Sequence, residues 1–480
     1  MIYNIIDFGA ICDGKTLVTN AIQKAVDACS ENNGGMVYVP SGKYLCGSVV
    51  LKDNVHLYIE SGAILYGAEV IDFDRDEDRG FKFYQDLSHS TYHVSMFRAE
   101  NAKNITVSGY GTIDMRAIWD VNDVRGQGDP NLAGRAAKIF AIRECENVTI
   151  KGLTLLNATD IAVYLAGCTN VRIDGLTLSV HIDGISPDCC KNVMISNCNV
   201  VTGDDAIVIK SSYTLNRLQD SENITITNCV VSSRSNGIKV GTETNGGMKN
   251  LVVSNCTMQN VRGSGLALEM CDGGVMDGVC ISNISMKNVA NPLFMMVAPR
   301  RRGPEGTIDG KIKNVSISNV IATGPYVPYK MVHNSYLAKR LGDDIQEPWR
   351  PGVKNTEGKA PEILPWQITS NITGLPNNPI ENLTLRDINL QLRGGAKKGD
   401  WLTSVREFEE GDYPEANTYV RVVEDDGSPL GKITYLSYPA KGIYFRHVKG
   451  LNLDNVKVFT ELDDEREEFV FDDVEGLQVK

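Results

Sequence analysis

The 480 residues, 42% hydrophobic and 22% charged, make an ordinary globular composition. A net charge of −12 argues against nucleic acid or an anionic membrane as the main partner. No run of about 18 apolar residues exists to span a membrane, and twelve cysteines in a chain this long do not make a small disulfide scaffold.

The first residues, MIYNIIDFGAICDGKT, lack a basic stretch followed by an apolar one. No signal peptide is therefore expected, and the address implied is cytoplasmic, or secreted if a leader has been removed. From Thr19 to Ser30, Ala21, Ile22, Ala25, Val26 and Cys29 form an apolar stripe at helical spacing. A helix there would close the open end of a repeat stack, and GGMVYVPSGKY from Gly34 begins the strands. Residues 1–50 thus read as an N-terminal cap.

The repeat recurs from Asn101: NAKNITVSGYGTI, then CENVTIKGLTL from Cys145, CTNVRIDGLTL from Cys168, CKNVMISNCNV from Cys190, SENITITNCVV from Ser221 and MKNLVVSNCTM from Met248. It returns in IKNVSISNVIA from Ile312, IENLTLRDINL from Ile380 and VKGLNLDNVKV from Val448. Period-two alternation makes each half a short strand with one buried face, and the Asn or Gly between them takes the bend. The leading Asn falls at 104, 147, 170, 192, 223 and 250. The middle spacings of 23, 22, 31 and 27 match one coil of a parallel β-helix, with insertions in the turns. A sandwich would need short hairpin turns, which are absent. The expectation is one all-β domain over residues 1–480, with coils about 4.8 Å apart, so residues one coil apart are side-chain neighbours. Cys198, Cys229 and Cys256 recur at one place in the repeat and read as a ladder of reduced core thiols. Adjacent Cys189 and Cys190 should point opposite ways along a strand.

Tyr164 follows NATDIAV on the coil before Asp183 and is a candidate for lining a cleft, against the ordinary reading of a half-buried aromatic. The next segment, HIDGISPDCCKNVMISNCNVVTGDDAIVIKS from His181, holds Asp183 before Gly184 and Asp204 and Asp205 after Gly203. Asp183 and Asp205 are 22 residues apart, the local coil length, so they should sit at equivalent positions on adjacent coils, with Asp204 beside them. Three carboxylates so close repel, which should divide them into a protonated acid and ionised bases. Glycoside hydrolysis needs one of each. Turn chemistry alone, or calcium binding, are the other readings of the same residues.

Lys239, inside the apolar run GIKVGT, needs a partner. Pro299-Arg300-Arg301-Arg302-Gly303 reads as a solvated loop, with an acidic glycan as the other option. Two long interruptions, about 326–379 and 393–439, are expected as loops. Tyr326, Tyr329, Tyr336, Trp349 and Trp366 in the first, and Trp401 and Tyr413 in the second, would stack on sugar rings or pack the loops themselves. His447 in YFRHVKG reads as structural. His56, His89, His93 and His333 show no metal spacing, and no cofactor is expected.

The chain resembles glycoside hydrolase family 28, the polygalacturonase family, over nearly its whole length. IDFGAICDGKT, GGMVYVPSGKY, DGISPDCCKNV, TGDDAIVIKS, NGIKVGTETNGG and GIYFRHVKGL carry the likeness. The Asp-Gly and Gly-Asp-Asp pair, 21 residues apart from first Asp to first Asp, is the most specific match. The resemblance implies a right-handed parallel β-helix and inverting hydrolysis. It gives Asp204 as general acid and Asp183 with Asp205 as the pair that activates water. The register alone suits a retaining separation as well.

Three departures bear on substrate. His181-Ile182-Asp183 replaces the family's Asn-Thr-Asp. SRSNGIKVG offers Asn236, or Ser235 with a one-residue slip, where the family has Gly-His-Gly. GLALEM places Ala267 and Glu269 where Arg-Ile-Lys would hold a galacturonate carboxylate. Two cations lost and an anion gained disfavour a carboxylate there. Aligning AIVIKS with GIKVGT sets Lys239 one coil from Ala267, where it would pair with Glu269 or bind substrate. His181, Tyr164, Asn236, Lys239 and Glu269 are thus the candidate binding residues. The expected function is hydrolysis of a plant cell-wall, pectin-type glycan or its oligosaccharides, exo-acting if the substrate is a small imported oligosaccharide, and distinct from ordinary polygalacturonase activity. A uronate lyase or epimerase, and a non-catalytic carbohydrate-binding β-helix, are the alternatives. The expected partner is the oligosaccharide or polysaccharide, with neither nucleic acid nor membrane; a homo-oligomer is left open.

Overall fold

The computed structural model describes residues 1–69, 72–75, 79–116, 137–325, 369–401, 405, 407–411, 413–415, 419–421, 433–435 and 438–480. The chain divides into two compact units, Met1–Val231 with Asn245–Val253, and Ser232–Thr244 with Ser254–Lys480. Among the described residues no helix is long and apolar enough to cross a membrane.

In the first unit the repeat becomes coils of three strands, each pairing in parallel with its counterpart one coil on. One ladder runs through Lys103–Gly109, Glu146–Lys151, Thr169–Asp174, Lys191–Ser196 and Ser221–Thr227. A second runs through Thr112–Asp114, Thr154–Leu156, Thr177–Val180 and Asn199–Thr202. A third runs through Ser95–Glu100, Lys138–Arg143, Val163–Ala166, Ile185–Asp188 and Ile207–Ile209. Alternation puts Val148, Val171, Val193 and Ile224 in one buried column, while Arg172 and Met194 on the other face are exposed. The helix Thr19–Glu31 buries the five expected residues against Ile2–Asn4 and Gly35–Val39.

The leading asparagines have a double role. Asn104, Asn147, Asn170, Asn192, Asn223 and Asn250 all take the left-handed backbone, with φ between 55° and 60°, which Asn tolerates better than other side chains with a Cβ. Each amide nitrogen donates to the amide oxygen one coil earlier at 2.9–3.0 Å from Asn147 to Asn250. Asn both donates and accepts, so one residue type can extend the ladder without limit. Asn170→Ala should cost about 1–2 kcal/mol in urea unfolding through the left-handed backbone and the lost amide bonds. Asn170→Gly should cost less, because glycine relieves the backbone term. Equal losses would place the whole cost in the amide ladder.

In the second unit, Val275–Val297 pairs with Lys311–Thr323, which pairs with Ile380–Leu392, which pairs with Ala440–Thr460, again all parallel. The expected loop over 393–439 instead contains a three-stranded antiparallel sheet of Tyr413–Glu415, Tyr419–Arg421 and Ile433–Tyr435. Trp401 is half-buried. Tyr326, Tyr329, Tyr336, Trp349 and Trp366 lie outside the described residues. Cys198, Cys229 and Cys256 are buried, as a thiol ladder requires. Cys189 takes the left-handed bend that follows the strand Ile185–Asp188, and both thiols are fully buried among different neighbours, Cys189 Sγ 3.2 Å from Ser212 O and Cys190 Sγ 3.5 Å from Leu165 O.

Candidate active site

Two successive turns of the first unit build the site. One joins Thr177–Val180 to Ile185–Asp188, and the next joins Asn199–Thr202 to Ile207–Ile209. Val180 pairs with Thr202 before the turns and Ile185 with Ile207 after them. The turns are stitched by Gly203 N–H donating to Val180 O at 3.0 Å and Gly184 N–H donating to Asp205 O at 3.0 Å. A Cβ on Gly203 would sit 2.1 Å from His181 O, and one on Gly184 would sit 2.5 Å from Ala206 O. Both glycines are therefore demanded by close backbone approach.

Asp183, Asp204 and Asp205 each bring an oxygen within 4.8 Å of the other two. Asp183 and Asp205 are buried, and Asp183 Oδ1 accepts the Asp205 N–H at 3.2 Å. Asp204 is half-buried, the most open of the three. Thr202 Oγ1 donates to the Asp204 carbonyl. His181, half-buried, ties its turn to the coil before through its N–H to Ala158 O at 2.9 Å.

One residue beside this set had no sequence signal. His89 Nε2 lies 3.8 Å from Asp183 Oδ2, and both side chains are buried. His89 comes from a segment outside the repeat, so no coil spacing points to it. Asp160 did carry a signal. Counted back from the paired strands Val163–Ala166 and Ile185–Asp188, it occupies the equivalent turn one coil before Asp183. It is tied to a buried Lys138 Nζ at 2.9 Å, which gives it a structural ion pair in place of a reacting role.

Tyr164 corrects the expectation that it lines a cleft. It is fully buried among Tyr92, Ala141, Ile161 and Cys189. Its hydroxyl donates to His89 O at 2.8 Å and lies 3.2 Å from Asp188 Oδ2. Burial pushes that hydroxyl well above its ordinary range. Burial likewise pushes the Asp188 carboxyl up, against the hydrogen bonds from Ser212.

The remaining candidates lie in the second unit. Asn236 is buried, with Oδ1 accepting the Ser264 N–H at 2.8 Å. Lys239 is in register with Ala267, and its Nζ lies 3.8 Å from Glu269 Oε1. The arginine run is no solvated loop. Arg300 Nε donates to Asp272 Oδ1 at 2.8 Å in a buried, two-pronged pair. Arg301 pairs with Asp309, and Arg302 with Glu243. Burial alone would lower the Arg300 guanidinium, but Asp272 outweighs it and holds the group well above its ordinary value. His447, buried, bonds to Asp473 at 2.6 Å and Glu407 at 3.0 Å, the structural role expected of it.

A family profile described as glycosyl hydrolases family 28 matches residues 29–327. A "Probable polygalacturonase" of Vitis vinifera is 24% identical over 467 residues, covering 92% of this chain and 84% of that protein. The exopolygalacturonase of Thermotoga maritima has 21% identity and a TM-score of 0.62, over 82% of this chain and 87% of that one. The family 28 exopolygalacturonase of Yersinia enterocolitica has 19% identity and a TM-score of 0.64, over 100% of this chain and 78% of that one. At these identities the structures establish the fold, a right-handed parallel β-helix.

Proposed function

The chain belongs to glycosyl hydrolases family 28 and is a glycoside hydrolase, and from that premise we propose that Asp204, Asp183 and Asp205 cleave a pectin-type glycan or an oligosaccharide derived from it. The observation that carries this reading is the meeting of three carboxylate oxygens within 4.8 Å on two successive turns. Mutual repulsion favours a shared proton in such a set. Asp204, the most open, holds that proton and gives it to the glycosidic oxygen as the C–O bond breaks. Water attacks the anomeric carbon, and its proton passes to the Asp183 and Asp205 pair. The set is restored when that proton returns to Asp204.

Inversion follows from the family pattern. The short oxygen separation favours a second reading, retention, because two-carboxylate inverting sites usually leave a wider gap for water. The anomeric proton signal of the first-formed product, followed by NMR, separates the two.

The proposed substrate is not the ordinary galacturonate chain. The positions that by family pattern hold a uronate carboxylate carry Ala267, fully buried, and Glu269, which faces Lys239. A carboxylate placed against Glu269 would meet like charge in a desolvated setting, whereas a neutral sugar would not. Lys239 and the three arginines all have carboxylate neighbours, which removes the feature that favoured a lyase or epimerase. The test is a panel of de-esterified polygalacturonate, its oligosaccharides and neutral-sugar pectic oligosaccharides. Faster release from neutral-ended oligosaccharides is expected. Equal or faster release from an oligogalacturonate of the same length would sink the neutral-sugar reading. Release of single sugars without intermediate oligomers would mark exo action.

A further inference from the structure

The segment 79–94 contributes no rung to the ladders, yet its His89 is fixed from two sides. The His89 N–H donates to Asp86 O at 2.9 Å, within the short 3-10 turn Leu87–His89. Its carbonyl accepts two hydroxyls from other coils, Tyr164 Oη at 2.8 Å and Thr214 Oγ1 at 2.7 Å. Thr214 Oγ1 is in turn bonded to Tyr92 Oη at 2.6 Å. The His89 ring stands at 86° to that of Tyr164, with centroids 5.5 Å apart. A backbone held by two hydroxyls and a ring set against an aromatic leave the imidazole little freedom, and it is placed with Nε2 toward Asp183 Oδ2 at 3.8 Å.

We propose that His89 is a positioning residue for Asp183. Its imidazolium keeps negative charge on Asp183 and so leaves the exchangeable proton of the set to Asp204. The consequence for turnover rests on the hydrolase reading above; the pairing itself does not. The charged and titratable groups around the imidazole favour a cation there. Asp183 faces it directly, with Asp204 and Asp205 beyond. Asp188 stands behind the Tyr164 hydroxyl, and Asp86 is on its own segment. Of the cations on this side, Lys138 lies 5.8 Å from the Tyr164 ring centre and is matched by Asp160, while Arg79 and Arg143 lie 4.7 and 5.2 Å from the ring centre of Tyr92, and Arg143 pairs with Glu100. A positive charge at His89 is opposed by burial and by these three cations, and favoured by Asp183 at the shortest distance and by the carboxylates behind it.

Histidine-selective NMR titration of the full chain tests the pairing without substrate. With six histidines, His89→Gln assigns the signal by its loss. In Asp183→Asn, which keeps an acceptor for the Asp205 N–H, the His89 midpoint should fall by about one pH unit or more, since the partner that stabilised the cation is gone. An unchanged midpoint overturns the proposal. On whichever glycan the wild type cleaves, His89→Gln should lower kcat by about 10–100-fold with KM within about twofold. Its acidic kcat/KM limb should move up by about one pH unit, because Asp183 without its cation takes up a proton more readily. A loss of activity with the limb unmoved would mark a merely structural role and overturn the proposal. Should the wild type cleave nothing, the hydrolase reading falls, while the titration still decides His89.

Discussion

Asp204→Asn should lower kcat by about 10³–10⁴-fold on a natural glycan, with KM changed little. The amide has the shape of the acid but no proton to give, so the leaving oxygen must depart as an alkoxide. The site is otherwise kept. The Asp204 carbonyl still accepts the Thr202 hydroxyl, and Asp183 still accepts the Asp205 N–H. A control isolates the proton transfer. With an aryl glycoside whose phenol is acidic enough to leave unaided, the same variant should recover most of its rate. Asp183→Asn and Asp205→Asn should gain nothing from that substrate, because activation of water does not depend on the leaving group. Equal loss for Asp204→Asn on both substrates would remove it as the acid. Recovery in the Asp183 variant instead would exchange the roles.

Arg300→Leu should destabilise the second unit by about 3–5 kcal/mol. Asp272 is fully buried and takes both prongs of the guanidinium; it also accepts the Arg302 N–H at 2.9 Å. Glu243, buried as well, lies 3.6 Å from the same guanidinium. Removing the cation leaves a fully buried carboxylate without its two guanidinium hydrogen bonds. Breaking a buried pair from one side is far worse than replacing both sides with apolar groups. Arg300→Leu with Asp272→Leu should therefore recover much of the loss, with Glu243 still served by Arg302. The urea midpoint, and amide exchange across 269–300, measure both variants. A loss under about 1 kcal/mol for the single variant would mean that water reaches Asp272.

Several elements were legible from the chain alone. The alternating runs and recurrent asparagines mark the coils. A 22-residue offset becomes the pairing of Ile185 with Ile207 and the meeting of three acids. The same counting sets Lys239 beside Ala267. Parallel ladders impose one step per coil, so distance along the sequence converts directly into distance in space. Asp160 obeys the same rule, one coil before Asp183.

His89, the full burial of Tyr164 and the partners of Arg300, Arg301 and Arg302 obey no such rule. They depend on segments between rungs, whose path is fixed by contacts such as Tyr164 Oη to His89 O, 75 residues apart. The sequence by itself determined the coil, its core face and the stacking of acidic turns, because backbone hydrogen bonding repeats with a fixed period. Only the tertiary structure decided which ring stands beside Asp183 and which carboxylates neutralise the arginine run. Those matches are made by side chains from loops of unequal length, and closure of a loop is set by what it meets rather than by its spacing.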